Sequence, residues 1–171
     1  MSSPPSESLA ASLAGLDVDC ERTTAAEFQE TLTAHLRSPS VGVPLDGLDV
    51  SLSGTDVAID PTPSALRAAH TGVTPASFAI ADYGSIVLPS TTSGLELVSL
   101  YTDRHVAVLD EADILPDMDA AFDRFGASFR ADAGSEIIAT GPSATADMGA
   151  LVRGAHGPRE VHVIIVEDED D

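Results

Sequence analysis

The chain has 171 residues, a formal net charge of −20 and an apolar fraction of 43%. This length supports one domain with a sizeable core, and the apolar fraction excludes a disordered chain because enough surface can be buried to offset the ordering entropy. The 28 acidic residues outnumber eight basic ones, which argues against nucleic acid and anionic membranes as partners. A folded protein with so acidic a surface is typical of a salt-rich cytoplasm, where self-repulsion is screened.

Cysteine usage and hydropathy indicate the compartment. Cys20 is the only cysteine, so this chain alone can form no intrachain disulfide and cannot hold an iron–sulfur cluster by its own thiolates. The N-terminus has no basic start, and no apolar run approaches the roughly 18 residues of a membrane span. We therefore expect a cytoplasmic protein without a membrane span.

The N-terminal half predicts short elements between polar loops. Residues 1–22 mix Ser, Pro, Glu and Asp and are expected to be mobile or weakly docked. A capping-box spacing from Thr24 to Glu27 predicts a helix after it. Residues 41–45 and 56–60 predict two strands, the first at a sheet edge because of Pro44. Residues 64–70 and 74–81 predict short helices, the second because Thr74 and Pro75 form an N-terminal cap pattern.

The middle of the chain predicts a sheet covered by a helix. Apolar, β-branched runs indicate strands at residues 85–88, 95–100 and 105–109, and their short connections indicate that part of the sheet is antiparallel. A helix beginning at Pro116 carries an apolar stripe that would pack on this sheet. Residues 167–171 are expected to form an acidic tail.

The stretch from residue 134 to residue 166 carries the clearest functional pattern. An apolar strand at residues 136–140 leads into Gly141 and Pro142, Ser143 can cap a helix over residues 145–153, and residues 161–166 form a second strand. Such a unit usually joins parallel strands, and ligands bind beyond the carboxyl ends of those strands. Free helix N–H groups would make this loop a site for a small carboxylate or phosphate. The alternative is an ordinary capped turn.

Two blocks of sequence resemble a known family. The first is GVTPASFAIADYGSIVLPS with LVSL and HVAVL, and the second is TGPSATAD with GAHGP and VHVIIV. Together they are similar in order and spacing to the LUD domain of the lactate utilisation protein C family, over residues 73–166, and we place the domain at residues 23–166. The resemblance implies a single-domain α/β fold with a Rossmann-like mixed sheet flanked by helices, like that of the sugar-phosphate isomerase and coenzyme A transferase superfamily. The composition suggests a salt-adapted organism of the haloarchaeal type.

The candidate site residues fall in these two blocks. Asp82, Asp147 and His156 are the candidate catalytic groups, because two carboxylates sharing a cleft can raise one pKa, and a loop histidine can transfer protons near neutral pH. The candidate ligand-binding residues lie in the adjoining turns and strands: Gly84, His105, Thr140, Gly141, Ser143 and Thr145. The alternatives are structural, since Asp147 can favour a helix dipole, Asp82 can form an Asx turn, and His156 can bond loop carbonyls. His162 is interpreted as structural, and no metal-binding motif is present.

The resemblance also implies a function. It suggests an accessory component of an L-lactate oxidation system that works with iron–sulfur partner subunits and itself holds no cofactor. One alternative is an independent enzyme acting on a small phosphorylated or coenzyme A ester substrate. In the transferases a Glu-x-Gly turn carries the nucleophile, and Asp82 precedes a comparable turn at Gly84. Another alternative is a domain that only binds small anions.

Overall fold

A computed structural model describes residues 4–131, 134–147 and 149–167. The helices are α1 (Pro5–Ala14), α2 (Phe28–His35), α3 (Pro63–Ala68), α4 (Leu95–Tyr101) and α5 (Met118–Ala131). The strands are β1 (Asp19–Thr24), β2 (Ser40–Gly42), β3 (Val57–Ile59), β4 (Thr71–Pro75), β5 (Phe78–Ile80), β6 (Ser85–Pro89), β7 (Arg104–Asp110), β8 (Ile114–Leu115), β9 (Glu136–Thr140), β10 (Ala144–Asp147), β11 (Ala150–Arg153) and β12 (Glu160–Glu167). Among these described residues, no helix is long and apolar enough to cross a membrane.

A six-stranded parallel sheet forms the centre of the molecule, in the order β1-β12-β7-β4-β2-β3. The interior strands β7 and β12 are buried on both faces, as expected where a parallel sheet is covered on both sides. A smaller sheet, in the order β8-β5-β6-β9, contains antiparallel pairs, and β10 and β11 form a separate hairpin. The prediction of a single-domain, Rossmann-like α/β fold with flanking helices is confirmed, and the antiparallel pairs expected of a mixed sheet lie in the smaller sheet.

The core is divided into three apolar clusters by the sheets. One face of the central sheet packs against α2, with Phe28 and Leu32 buried on Val106 and Ile164. The other face packs against α1, α4 and the small sheet, and it contains most of the remaining buried aliphatic side chains. Helix α5 covers the far side of the small sheet through Phe125 and its neighbours. The small sheet therefore lies between the central sheet and α5.

Close packing of α4 on β4 depends on a glycine. A Cβ on Gly72 would lie 2.6 Å from Thr102 Oγ1 and even closer to the carbonyl oxygen of Val98. No side chain larger than hydrogen fits there without displacing the backbone of α4. Gly72 therefore sets the distance between this helix and the central sheet.

The segment 1–22 differs from its prediction. Residues 5–14 form α1, whose Leu9 and Leu13 are buried in the core, and β1 begins at Asp19 as an edge strand of the central sheet. Residues 1–3 lie outside the described part. The polar composition of this segment comes mainly from the exposed face of α1. Leu9 and Leu13, four residues apart, lie on its buried face and attach the helix to the core. At the other end, Glu167 belongs to β12 rather than to an acidic tail, and residues 168–171 lie outside the described part.

Three short elements have a different structure from the one predicted. The helix expected at residues 74–81 is instead the end of β4 followed by β5, and the strand expected at residues 95–100 is α4. Leu95, Val98 and Ser99 are buried at the spacing of a helix face. The strand predicted at residues 41–45 is β2, which lies between β4 and β3 rather than at an edge, because Pro44 falls after the strand ends.

The unit predicted around residues 136–166 is also wrong in its middle part. Residues 144–147 and 150–153 form the antiparallel hairpin β10–β11, with Gly149 at a φ of +81° in the turn. Thr145 pairs with Val152 across the hairpin, and β-branched residues favour strands over helices. Strands β9 and β12 belong to different sheets, so no crossover helix joins them as parallel neighbours.

Candidate functional site

A cleft of about 410 Å³ opens between the central sheet, α4 and the loops that follow β9 and β11. Its walls are mostly aliphatic side chains, with hydroxyl groups and two histidines among them. It contains most of the residues that the sequence suggested as ligand contacts or proton carriers: Gly84, His105, Thr140, Gly141, Ser143, Thr145 and His156. Residues far apart in the chain therefore meet in one cleft.

The cleft lies beside the beginning of two strands rather than beyond their carboxyl ends. His105 and Val161 line it, and they are paired near the start of β7 and β12. The loop after β9 reaches this region because β9 belongs to the small sheet, which stacks over the central sheet. The expected position at the carboxyl edge of a parallel sheet is therefore wrong for the central sheet.

Ser143 connects the two loops that form the rim of the cleft. Its backbone N–H donates to the carbonyl oxygen of Pro158 (2.8 Å), and its own carbonyl accepts from Gly154 N–H (2.8 Å). Its Oγ accepts a hydrogen bond from the backbone N–H of His156 (3.3 Å). The hydroxyl hydrogen has no acceptor among the described residues, so it can donate to a ligand.

The expected anion site at a helix N-terminus is not formed. The chain continues from Ser143 into β10, and the N–H of Ser143 is already bonded to Pro158. A strand offers no set of free N–H groups and no comparable dipole. Any anion bound at this loop would depend on hydroxyl groups and on the backbone around Gly141, which has a φ of +71°.

His105 and Ser99 are the most deeply buried polar residues of the described cleft wall, and His105 is the one that titrates. Its side chain is 2% exposed, and its Nε2 lies 2.8 Å from Thr74 Oγ1. Burial lowers the pKa of His105 to about 4, so the ring is neutral at neutral pH. A neutral imidazole can exchange hydrogen bonds with a ligand, but it supplies no positive charge.

Three buried hydroxyl residues in or near the cleft were missed in the sequence. Ser85 Oγ lies 2.7 Å from Thr140 Oγ1 across the β6–β9 pair, and Thr74 holds His105. Ser99, also in the cleft wall, donates to the carbonyl of Glu96 (2.9 Å). Ser85 begins an apolar run and Ser99 lies within one, and that pattern could have indicated buried hydroxyl groups.

Of the two candidate carboxylates, only that of Asp82 is among the described side chains. Asp82 is exposed in a 3₁₀ turn (Ala81–Tyr83) and does not line the cleft, and its backbone N–H donates to Pro116. The backbone of Asp147 ends β10, but its side chain lies outside the described part. The predicted sharing of a proton between Asp82 and Asp147 therefore lies outside the described residues.

The chemistry available in the cleft is hydrogen bonding beside an apolar wall. No arginine is among the described residues that line it, and Arg153 at the hairpin pairs with Asp17 (2.5 Å). Hydroxyl groups at Ser143 and Thr145, together with the imidazoles of His105 and His156, can orient a small polar molecule. Such a site suits a small organic ligand with a few oxygen atoms.

Comparisons with known proteins agree with this fold. The LUD domain matches residues 21–166 of the chain. A protein named lactate utilization protein C from Deinococcus radiodurans is 32% identical over 130 residues, which is 73% of this chain and 59% of that protein. The chain thus matches less than two thirds of that relative's length.

A solved structure shows the same fold. The crystal structure of a DUF162 family protein from Deinococcus radiodurans superposes with a TM-score of 0.72 and 21% identity, covering 95% of this chain and 96% of that one. At this identity the likeness concerns the fold alone. The match over residues 21–166 and the similarity to lactate utilization protein C establish that the chain belongs to the LUD domain family.

Proposed function

We propose that this chain takes part in lactate utilisation, as an accessory component of an L-lactate oxidation system whose redox centres are held by iron–sulfur partner subunits. The proposal is supported by the similarity to a protein named lactate utilization protein C. The thiol of Cys20, the one cysteine of the chain, is half-buried, and burial raises its pKa to about 11. A protonated, isolated thiol is a poor cluster ligand. Electron transfer would therefore depend on partner chains.

The cleft is the part of this chain that would bind the small carboxylate. The observation that carries this assignment is the Ser143 rim, where the backbone and the Oγ of one residue bond the loop after β11, and the hydroxyl hydrogen has no acceptor among the described residues. Three or four such hydrogen bonds, worth about 1 kcal/mol each, give a dissociation constant on the order of millimolar. A cleft without a cation in its described wall binds a carboxylate weakly, as suits reversible exchange with a partner subunit.

Calorimetric titration with lactate, pyruvate and phosphate tests the site. We expect Ser143→Ala to weaken carboxylate binding by about two- to tenfold, which corresponds to one hydrogen bond. Ser93→Ala is the matched control, because Ser93 is exposed and bonds only its loop neighbour Thr91 among the described residues. Identical heats for wild type and Ser143→Ala would show that the loop is only a turn.

Copurification from the host tests the pathway. We expect iron–sulfur subunits to copurify with this chain and a deletion strain to grow poorly on lactate. Recovery without any such partner, together with undiminished growth on lactate, would remove the proposal.

Turnover by the isolated protein distinguishes an independent enzyme from an accessory role. We expect no turnover of sugar phosphates or coenzyme A esters in molar salt, since Asp82 lies outside the cleft wall. Turnover that is lost in Asp82→Asn would instead favour the independent enzyme.

A further inference from the structure

The ring of His105 has one polar atom that is open to the cleft and has no partner. His105 lies on the same face of β7 as Ala107 and Leu109, which is the face toward the cleft and the small sheet. Its Nε2 is bonded to Thr74, whereas its Nδ1 has no hydrogen bond among the described residues. Unlike the ring nitrogens of His162, this Nδ1 is not closed off from solvent. Because the ring lines the cleft, Nδ1 can bond a ligand there.

Thr74 determines which nitrogen of His105 carries the proton. The Thr74 side chain is fully buried, and His105 Nε2 is its only hydrogen-bond partner in the described part of the chain. If Nε2 carried the proton, the Thr74 hydroxyl would accept it, and the hydrogen of that hydroxyl would be buried without an acceptor, which is costly. The favoured arrangement is that Thr74 donates to Nε2 and that Nδ1 carries the proton. His105 therefore presents an N–H donor to the cleft, and burial keeps its pKa at about 4, so the ring is uncharged at neutral pH.

A second donor is the hydroxyl of Ser143 at the rim. Its oxygen accepts from the backbone N–H of His156, and its hydrogen has no acceptor among the described residues. Both donors are uncharged, the chain contains no lysine, and no arginine is among the described residues that line the cleft. An ionised carboxylate would leave water for an apolar cleft without meeting a cation, and uncharged hydrogen bonds offset that loss only in part. A carbonyl oxygen accepts two hydrogen bonds without carrying a charge, so it matches these donors better.

The size and the walls of the cleft suit a ligand with an apolar body. Its volume of about 410 Å³ lies in the range of sites that hold ligands much larger than lactate. The wall contains the buried side chains of Ile86, Leu88 and Val163, and also Leu100, which is 42% exposed. A ligand that covers Leu100 removes apolar surface from water, which favours binding. A small hydroxy acid such as lactate covers little of this wall.

We propose that the cleft binds an uncharged carbonyl compound with an apolar body, whose carbonyl oxygen accepts a hydrogen bond from His105 Nδ1. The apolar body lies along the aliphatic wall and covers Leu100, and Ser143 supplies a second donor at the rim for a further oxygen of the ligand. This ligand class goes beyond the lactate binding proposed above and does not depend on it, because the two ligands differ in charge and in size.

Two probes of the same shape and different charge test this preference. Acetophenone carries a methyl group where benzoate carries an ionised oxygen, so their apolar bodies are equal. Both are titrated into the full chain by calorimetry in molar salt at pH 8, where an exposed imidazole is uncharged. We expect acetophenone to bind at least about tenfold tighter than benzoate, and also tighter than acetone, which lacks the apolar body. Benzoate that binds as tightly as acetophenone would overturn the proposal.

Variants of the wall locate the ligand. Leu100→Ala should weaken acetophenone binding about two- to tenfold, because the apolar body loses contact area. Leu97→Ala is the matched control and should leave binding unchanged, because Leu97 is 49% exposed on the same helix but lies outside the described cleft wall. His105→Leu removes the N–H donor and should weaken binding about two- to tenfold. Equal affinities of Leu100→Ala and Leu97→Ala would contradict the assignment.

The nitrogen-15 spectrum of wild type tests the donor even if His105→Leu does not fold. The ring of His105 should carry its proton on Nδ1, and a proton on Nε2 would overturn the assigned donor. The two proposals for the cleft are also separable. Acetophenone binding without lactate binding would support this inference and remove the carboxylate assignment, whereas lactate binding without acetophenone binding would do the reverse.

Discussion

Lowering the pH from 7.5 to 5 should destabilise the folded state through His105. The ring is buried against Thr74, and its pKa is lowered to about 4 in the folded state against an ordinary 6.5. Between these pH values the unfolded chain binds a proton that the folded chain does not. The contribution of neutral His105 to the free energy of unfolding is therefore fully present above pH 6.5 and is lost as the pH falls toward 4. For these two values the free energy of unfolding falls by about 2 kcal/mol between pH 7.5 and pH 5.

Chemical denaturation at each pH, in molar salt and with a chelator, measures this effect. The range stops at pH 5 because the isoelectric point is about 4.2 and solubility falls close to it. His105→Gln keeps a polar partner for Thr74 but does not titrate, so its loss between pH 7.5 and 5 should be about 2 kcal/mol smaller than that of wild type. Other titrating groups act equally on both proteins and cancel. Equal losses in wild type and His105→Gln would refute the assignment of a buried neutral imidazole.

Three further predictions concern the packing and the surface charge. Leu9→Ala should lower the free energy of unfolding by about 2–5 kcal/mol, because it empties a fully buried position of α1, whereas Glu7→Gln on the exposed face should change it little; equal denaturation midpoints would mean that α1 is not docked. Gly72→Ala should destabilise by about 1–3 kcal/mol through its clash with Thr102, while Gly134→Ala, with open space around it, should be neutral; a melting temperature shared by both variants would contradict this. Finally, a net charge of −20 predicts a melting temperature that rises from tenths molar to molar salt, and a flat or falling curve would argue against salt adaptation.

Local sequence patterns were sufficient to predict the helices and strands whose sequences are almost entirely apolar or clearly periodic. The runs that became β7 and β12 are fully buried strands, and such runs are strand-like in any packed α/β protein. The same two blocks of sequence that resemble the LUD domain also contain most of the residues that line the cleft, including Ser143 and His156. Turn residues such as Gly141 adopt the positive φ that glycine allows.

Tertiary contacts decided the short amphipathic segments and the positions where distant residues meet. Residues 95–101 and 144–153 have patterns that fit either a helix or a strand. The difference in free energy between these two local conformations is smaller than the free energy gained when the segment packs on the rest of the protein. As a helix, α4 buries Leu95 and Val98 against the central sheet, and the hairpin β10–β11 is bonded through Ser143 to the loop after β11.

The sequence by itself determined the acidic surface, the α/β class and the residues around the rim, because composition, apolar runs and glycine turns are local properties of the chain. Only the tertiary structure decided that Asp82 lies outside the cleft, and that His105, Ser143 and His156 meet in it. The physical reason is that strand order and helix docking, which no local pattern encodes, determine which side chains meet.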